Sequence, residues 1–165
     1  MQAAAKRILE PIFEAKFLDR SFGFRPNRSA HMAIEQIRRD LLDGYRYVID
    51  ADLKSYFDTI PHDKLMPQVR EEVVDGSVIR LLESFLTSGI MDGGSFYLNE
   101  AGCPQGGVIS PLLANIYLHL LDALMEERGY RMTRYAYDFV ICCRTRKGAE
   151  RVLRGGVDFF KEHWG

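Results

Sequence analysis

Residues 132–144 read Met-Thr-Arg-Tyr-Ala-Tyr-Asp-Phe-Val-Ile-Cys-Cys-Arg, and residues 45–53 read Tyr-Arg-Tyr-Val-Ile-Asp-Ala-Asp-Leu. The first stretch reads as two short strands, Met132 to Ala136 and Phe139 to Arg144, around a tight turn with Asp138 at its tip. The second reads as one strand, in which Asp50 and Asp52 are two apart and therefore share a face. A lone carboxylate in an apolar strand costs several kcal/mol to bury, so something must compensate it. A cation, a structural salt bridge and a place at an exposed strand end would each suffice. For Asp138, turn geometry by itself is a second explanation. If strand and hairpin are neighbours, Asp52 and Asp138 can share hard divalent cations, because Mg²⁺ favours carboxylate oxygens together with water and phosphate.

Outward from these strands the hydrophobic period changes. Gln2 to Glu10 is helix-like and is expected to stop before Pro11, since the residue preceding proline avoids helical angles. Ser29 is placed to cap a helix ending at Gly44, with Ala33, Ile34, Ile37, Leu41 and Leu42 as an apolar stripe facing a sheet. Further helices are expected from about Asp63 and over Ser77 to Thr87, a hairpin over Ile90 to Leu98 bent at Gly93 and Gly94, and a helix from about Lys147. Gly102 to Pro111 is a glycine-rich turn running into a long apolar helix opened by Ser110, with Pro111 at the position helix starts prefer. Such a turn lets backbone approach a ligand closely, but it lacks the Gly-Lys-Ser/Thr ending of a P-loop. This order of elements predicts an antiparallel α+β domain.

Composition narrows the classes. The 165 residues suit one domain, and 47% hydrophobic content suits an ordinary core. No apolar run approaches the roughly 20 residues of a membrane span, and no signal-peptide pattern opens the chain, so a soluble cytoplasmic protein is expected. Cys103, Cys142 and Cys143 have no zinc-type spacing and read as reduced core thiols. With 22 Lys+Arg against 23 Asp+Glu, any nucleic-acid contact must be local. Arg20, Arg25 and Arg28 form one basic cluster, and Arg131, Arg134, Arg144, Arg146, Lys147, Arg151 and Arg154 another; solvated helix and hairpin faces are favoured over phosphate contact there, by about two to one. His31, His62 and His119 make no metal motif.

Taken together and in order, four blocks resemble those of group II intron reverse transcriptases. They are Ser21-Phe22-Gly23-Phe24-Arg25-Pro26-Asn27-Arg28-Ser29-Ala30-His31, then Asp52-Leu53-Lys54-Ser55-Tyr56-Phe57-Asp58-Thr59-Ile60-Pro61-His62, then Gly102 to Asn115 with its Pro104-Gln105-Gly106, and last Arg134 to Arg144. The resemblance implies a right-hand polymerase palm, an antiparallel sheet backed by helices, with residues 1–44 belonging to the fingers and 45–165 to the palm. It also implies that the stretch starts after the basic fingers block and stops short of the thumb and maturase regions. In the family, palm carboxylates hold two Mg²⁺ ions for nucleotidyl transfer to a DNA primer on an RNA template. By block position, Asp52 is the first metal ligand, the carbonyl of Leu53 assists, and Asp138 lies beside the second. Phe57 falls where a bulky side chain excludes the ribose 2′-hydroxyl and so favours dNTP, with an ordinary packed aromatic as the alternative. Gln105, beside Gly106, would contact the incoming nucleotide. Arg25 and Arg28 would touch the template, or form salt bridges.

The fourth block departs from the family at one position. Tyr135-Ala136-Tyr137-Asp138 has Tyr137 where the family's Tyr-Ala-Asp-Asp carries its second essential aspartate. A phenol with a pKa near 10 is neutral at pH 7 and bulkier than a carboxylate. The Mg²⁺ pair is therefore expected to bind weakly and polymerisation to be impaired. The rival reading is a non-catalytic RNA-binding or maturase-like module, with intron RNA or a partner chain supplying missing parts as its partners; a decayed fragment is a third.

Overall fold

The computed structural model describes residues 1–53, 56–88, 90–92, 95–97, 102–103 and 107–164. In chain order the elements are α1 (Gln2–Glu14), α2 (Ala30–Leu42), β1 (Tyr47–Asp52), α3 (Tyr56–Thr59), α4 (His62–Glu72) and α5 (Gly76–Thr87). They continue with β2 (Ile90–Asp92), β3 (Ser95–Tyr97), α6 (Ser110–Glu127), β4 (Arg131–Tyr135), β5 (Asp138–Cys143) and α7 (Arg146–Trp164). Among the described residues the named strands pair antiparallel, as the α+β reading requires, and one isolated parallel bridge joins Ser21 to Arg134. The chain divides into two compact units, Met1–Lys16 with Ser55–Tyr117, and Phe17–Lys54 with Leu118–Gly165, so neither is a continuous stretch.

The second unit contains the sheet β1-β5-β4. Its register pairs Tyr47 with Cys143 at one end and Asp52 with Asp138 at the other, while Tyr135 of β4 also meets Asp138. Alternation along paired strands then separates two faces. Ile49, Phe139, Ile141, Met132 and Arg134 lie on the buried one; Asp50, Asp52, Asp138 and Tyr135 lie on the other and are exposed. Packing of α2 against β4 and β5, and of α7 against β1 and β5, backs the sheet with helices.

Helix α2 starts where Ser29 accepts a bond from the Met32 amide at 3.4 Å, and the chain turns away through Gly44 at φ +90°. The expected apolar stripe is only in part the packed face. Ile34 and Leu42 are 63% and 72% exposed, whereas Ala33 and Asp40 are buried. Bonds from Arg20 and Arg131 to Asp40 set the helix rotation, because a buried carboxylate with two guanidinium partners outweighs a few half-covered aliphatic side chains.

In the first unit α1 runs straight through Pro11 rather than stopping before it. The carbonyl freed by proline belongs to Arg7, which is exposed and open to water, while Ala5, Leu9 and Phe13 bury a stripe spaced by four. Helix α5 is capped by Asp75, whose Oδ1 accepts the Ser77 amide at 2.8 Å. The short α3, not anticipated from the sequence, is held where the Tyr56 hydroxyl donates to the Ala114 carbonyl at 2.9 Å. Strands β2 and β3 form the expected hairpin; Gly93 and Gly94 lie outside the described residues. Among the described residues no helix is long and apolar enough to cross a membrane.

Candidate active site

In the second unit, Asp52 and Asp138 are the last directly opposed pair of β1 and β5. Opposed residues on antiparallel strands have Cβ atoms about 4.5–5.5 Å apart, and their side chains share a face. Asp50 is two residues back on that same face. The pKa of Asp138 is raised, first by partial burial and then by the negative charges of Asp52 and Asp50. Such a set gains from a divalent cation, which removes the repulsion that disfavours ionisation. Among the described residues no group of three His, Cys, Asp or Glu side chains stands ready to enclose a metal. Asp52 and Asp138 therefore fit a divalent cation in part, as two carboxylates on one face.

Tyr137 is the second residue of the two-residue turn between β4 and β5 and is 38% exposed. Its neighbour Ala136 is buried with φ +57°, a region that residues with a Cβ seldom occupy. Close packing holds it there. A Cβ built on Gly23 would lie 2.0 Å from the Ala136 nitrogen, so only glycine allows the Ser21–Gly23 segment to lie against the turn. That segment also brackets Arg134, whose amide donates to the Arg20 carbonyl and whose carbonyl accepts from the Phe22 amide, both at 2.9 Å. The fully buried Arg134 guanidinium pairs with Asp122 of α6 at 2.6 Å. Sequence reasoning assigned none of Ser21, Gly23, Asp122 or Arg134 a part beside the hairpin. The usable signal was a charge inside an apolar strand, the same anomaly that singled out Asp50 and Asp52.

Arg25 and Arg28 are engaged within their own loop. Arg25 is 7% exposed and donates to the carbonyls of Leu18 at 2.5 Å and Ser21 at 2.6 Å, with its guanidinium 5.3 Å from the Phe17 ring centre. Arg28 pairs with Asp19 at 2.8 Å, which lowers the Asp19 pKa, and sits 5.6 Å from the Phe22 ring centre. The salt-bridge alternative is thus realised for Arg28, and Arg25 serves as a buried clamp on carbonyls. Leu53 follows β1 directly, with Lys54 and Ser55 beyond it outside the described residues.

In the first unit, Phe57 lies on α3 in edge contact with Tyr56, ring centres 5.9 Å apart. The start of the glycine-rich block docks on this turn. The Gly102 amide donates to the Ile60 carbonyl at 2.8 Å and the Cys103 amide to the Phe57 carbonyl at 2.6 Å. Gly102 has φ +85°, and a Cβ there would lie 2.5 Å from the Phe57 oxygen. His62 Nε2 bonds the Gly102 carbonyl at 2.6 Å, a role the sequence had not suggested. Burial pushes the Cys103 thiol up to about 12, consistent with an inert core cysteine. Gln105 and Gly106 lie outside the described residues.

With this geometry, the whole chain, residues 1–165, matches the reverse transcriptase (RNA-dependent DNA polymerase) family. It belongs to that family. Its curated relatives place it with the group II intron type: it is 42% identical over 134 residues to the group II intron-encoded protein LtrA of Lactococcus lactis, covering 81% of this chain and 22% of that one. It is 44% identical over 132 residues to protein YkfC of Escherichia coli, covering 78% of this chain and 35% of that one. The chain thus spans about a fifth to a third of these relatives. Among solved structures, a telomerase from Candida albicans in complex with a fragment of telomeric RNA superposes with a TM-score of 0.72 over 92% of this chain and 31% of that one. At 12% identity that likeness shows the fold alone.

Proposed function

We propose that this chain is the palm, with part of the fingers, of an RNA-directed DNA polymerase whose nucleotidyl transfer is impaired by Tyr137. The observation that carries the reading is the directly opposed pair Asp52 and Asp138, on one exposed face, in a chain of the reverse transcriptase family. In the reaction the primer 3′-oxygen forms a bond to the α-phosphorus of a dNTP, the bond to the β-phosphate oxygen breaks, and pyrophosphate leaves. Asp52, Asp138 and the Leu53 carbonyl would hold Mg²⁺; when bound, the ions supply Lewis acidity to the attacking and leaving oxygens. Phe57, whose turn is locked by Gly102 and Cys103, would close off the side of the sugar where a 2′-hydroxyl sits. Gln105 and Gly106 would meet the nucleotide. Arg28, the less buried of the two arginines, is the better candidate for the template backbone.

Tyr137 favours a second reading, a palm kept as an RNA-binding or maturase-like module. Its side chain is a phenol where the family's block carries a carboxylate, and it occupies the turn beside Asp138. Mg²⁺-dependent primer extension on an RNA template, comparing the chain with its Tyr137→Asp form, separates the two. Extension by the Tyr137→Asp form alone is the expected result. Equal extension by both forms would remove the claim that Tyr137 disables the site. No extension by either, with salt-dependent RNA binding by both, would favour the binding module.

A further inference from the structure

The hairpin that carries Asp138 is held from behind by one side chain. Arg134 of β4 is completely buried. Its Nε and Nη2 donate to the two carboxylate oxygens of Asp122 at 2.8 and 2.6 Å. Nη2 also donates to the Ser21 hydroxyl at 2.7 Å. The remaining nitrogen, Nη1, donates to the carbonyl of Ala136 at 2.7 Å. That carbonyl belongs to the first residue of the turn, immediately before Tyr137 and Asp138. Ala136 adopts φ +57°, a conformation that persists only where the surroundings over-determine it.

The bonds divide the work. Asp122 fixes one edge of the planar guanidinium through two parallel bonds, from Nε and Nη2, as a bidentate carboxylate does. Ser21 fixes a third direction, and the backbone bonds of Arg134 to Arg20 and Phe22 prevent the strand from sliding. With the fork immobilised, Nη1 is a rigid donor aimed at the turn. A lysine could keep the charge against Asp122, but as a point charge on a flexible stem it cannot serve all three partners in fixed directions.

We infer that Arg134, backed by Asp122 and Ser21, is a positioning residue that sets the turn conformation and so keeps the Asp138 carboxylate opposite Asp52. The consequence for metal binding rests on the function proposed above; the effect on the turn does not.

The test is amide hydrogen exchange by NMR on the full chain and its Arg134→Lys and Ser21→Ala forms, with Leu121 and Ile141 as core reference amides. Arg134→Lys is expected to speed exchange at Tyr135 to Asp138 about tenfold while the reference amides change less than about twofold, because local opening is separable from global unfolding. Ser21→Ala, which leaves the Asp122 and Ala136 bonds in place, is expected to give about a threefold effect at the same amides. Unchanged exchange in the hairpin, or an equal rise at Leu121 and Ile141, would overturn the positioning role. Mn²⁺ broadening of the Asp138 signal, followed in the same samples, reads the other premise. Absence of broadening in the unaltered chain together with the local exchange effect would sink the metal reading and leave the positioning role standing.

Discussion

At one end of the β1-β5-β4 sheet, Asp50, Asp52 and Asp138 share an exposed face, and the like charges of Asp52 and Asp50 help raise the pKa of Asp138. At the other end, Asp40 is buried and accepts bonds from Arg20 at 2.7 and 2.9 Å and from Arg131 at 2.9 Å. Arg131 reaches Asp43 as well, at 2.7 Å, and its guanidinium lies 4.1 Å from the Tyr45 ring centre. Burial pushes the Asp40 carboxyl up, but its arginine bonds outweigh that and hold its pKa below the ordinary value. The same residue type is thus structural where cations neutralise it and chemically available where they do not. A cavity of about 450 Å³ lies beside the neutralised end, and Arg20, Asp40, Asp43 and Arg131 in its lining are paired with one another.

The largest expected effect is at the neutralised end. Asp40→Asn leaves Arg20 without its carboxylate and Arg131 with Asp43 alone, and is expected to cost about 1.5–3 kcal/mol in urea unfolding at pH 7. Because the folded pKa of Asp40 is depressed, its contribution is present above the ordinary carboxylate range and lost as pH falls through the folded value. The gap between wild type and Asp40→Asn should therefore shrink on acidification; a gap constant with pH would mean that the charge is not what Asp40 contributes.

Gly23→Ala tests whether the acidic end depends on how closely the Ser21–Gly23 segment approaches the turn. The added methyl meets backbone atoms of Ala136, which cannot rotate away, so a loss of about 1–3 kcal/mol is expected from the thermal midpoint. Full stability in that variant would show that the hairpin moves freely.

The smallest effect has the opposite sign. Asp138→Asn removes a like charge across from Asp52 and should stabilise the chain by about 0.2–1 kcal/mol at pH 7. Here the folded pKa is raised, so the destabilising contribution is absent at low pH and appears as pH rises through the unfolded value. The gain should accordingly vanish in acid. Destabilisation by Asp138→Asn at neutral pH would contradict the contrast between the two ends.

Much of the candidate site was legible because it depends on short-range rules. Period two placed Asp50 and Asp52 on one face, and a tight turn between apolar strands placed Asp138 where β1 could meet it; the observed register joins them. The helix start at Ser29 and the hairpin over β2 and β3 were legible for the same reason. Features that depend on partners distant in sequence were not. Nothing local indicated that Arg134 would pair with Asp122, that Gly23 would be needed for contact with a turn 113 positions later, or that Asp40 rather than Ile34 would face inward. Pro11 misled in the same way, because the strength of the buried stripe around it exceeds the local cost of proline.

By itself, the sequence determined most of the elements and their order, α3 excepted, and the carboxylates at the site, since these follow from residue type, period and spacing along the chain; that Tyr137 stands where an aspartate is expected follows from the family resemblance. Only the tertiary structure decided which charges are neutralised and which stand uncompensated, because that depends on burial and on cations delivered from elsewhere in the chain. The difference between Asp40 and Asp138 is not a difference of side chain. It is set by which carboxylate the guanidinium groups meet: Arg20 and Arg131 bond Asp40, whereas Arg134, at the acidic end, bonds Asp122, Ser21 and the Ala136 carbonyl.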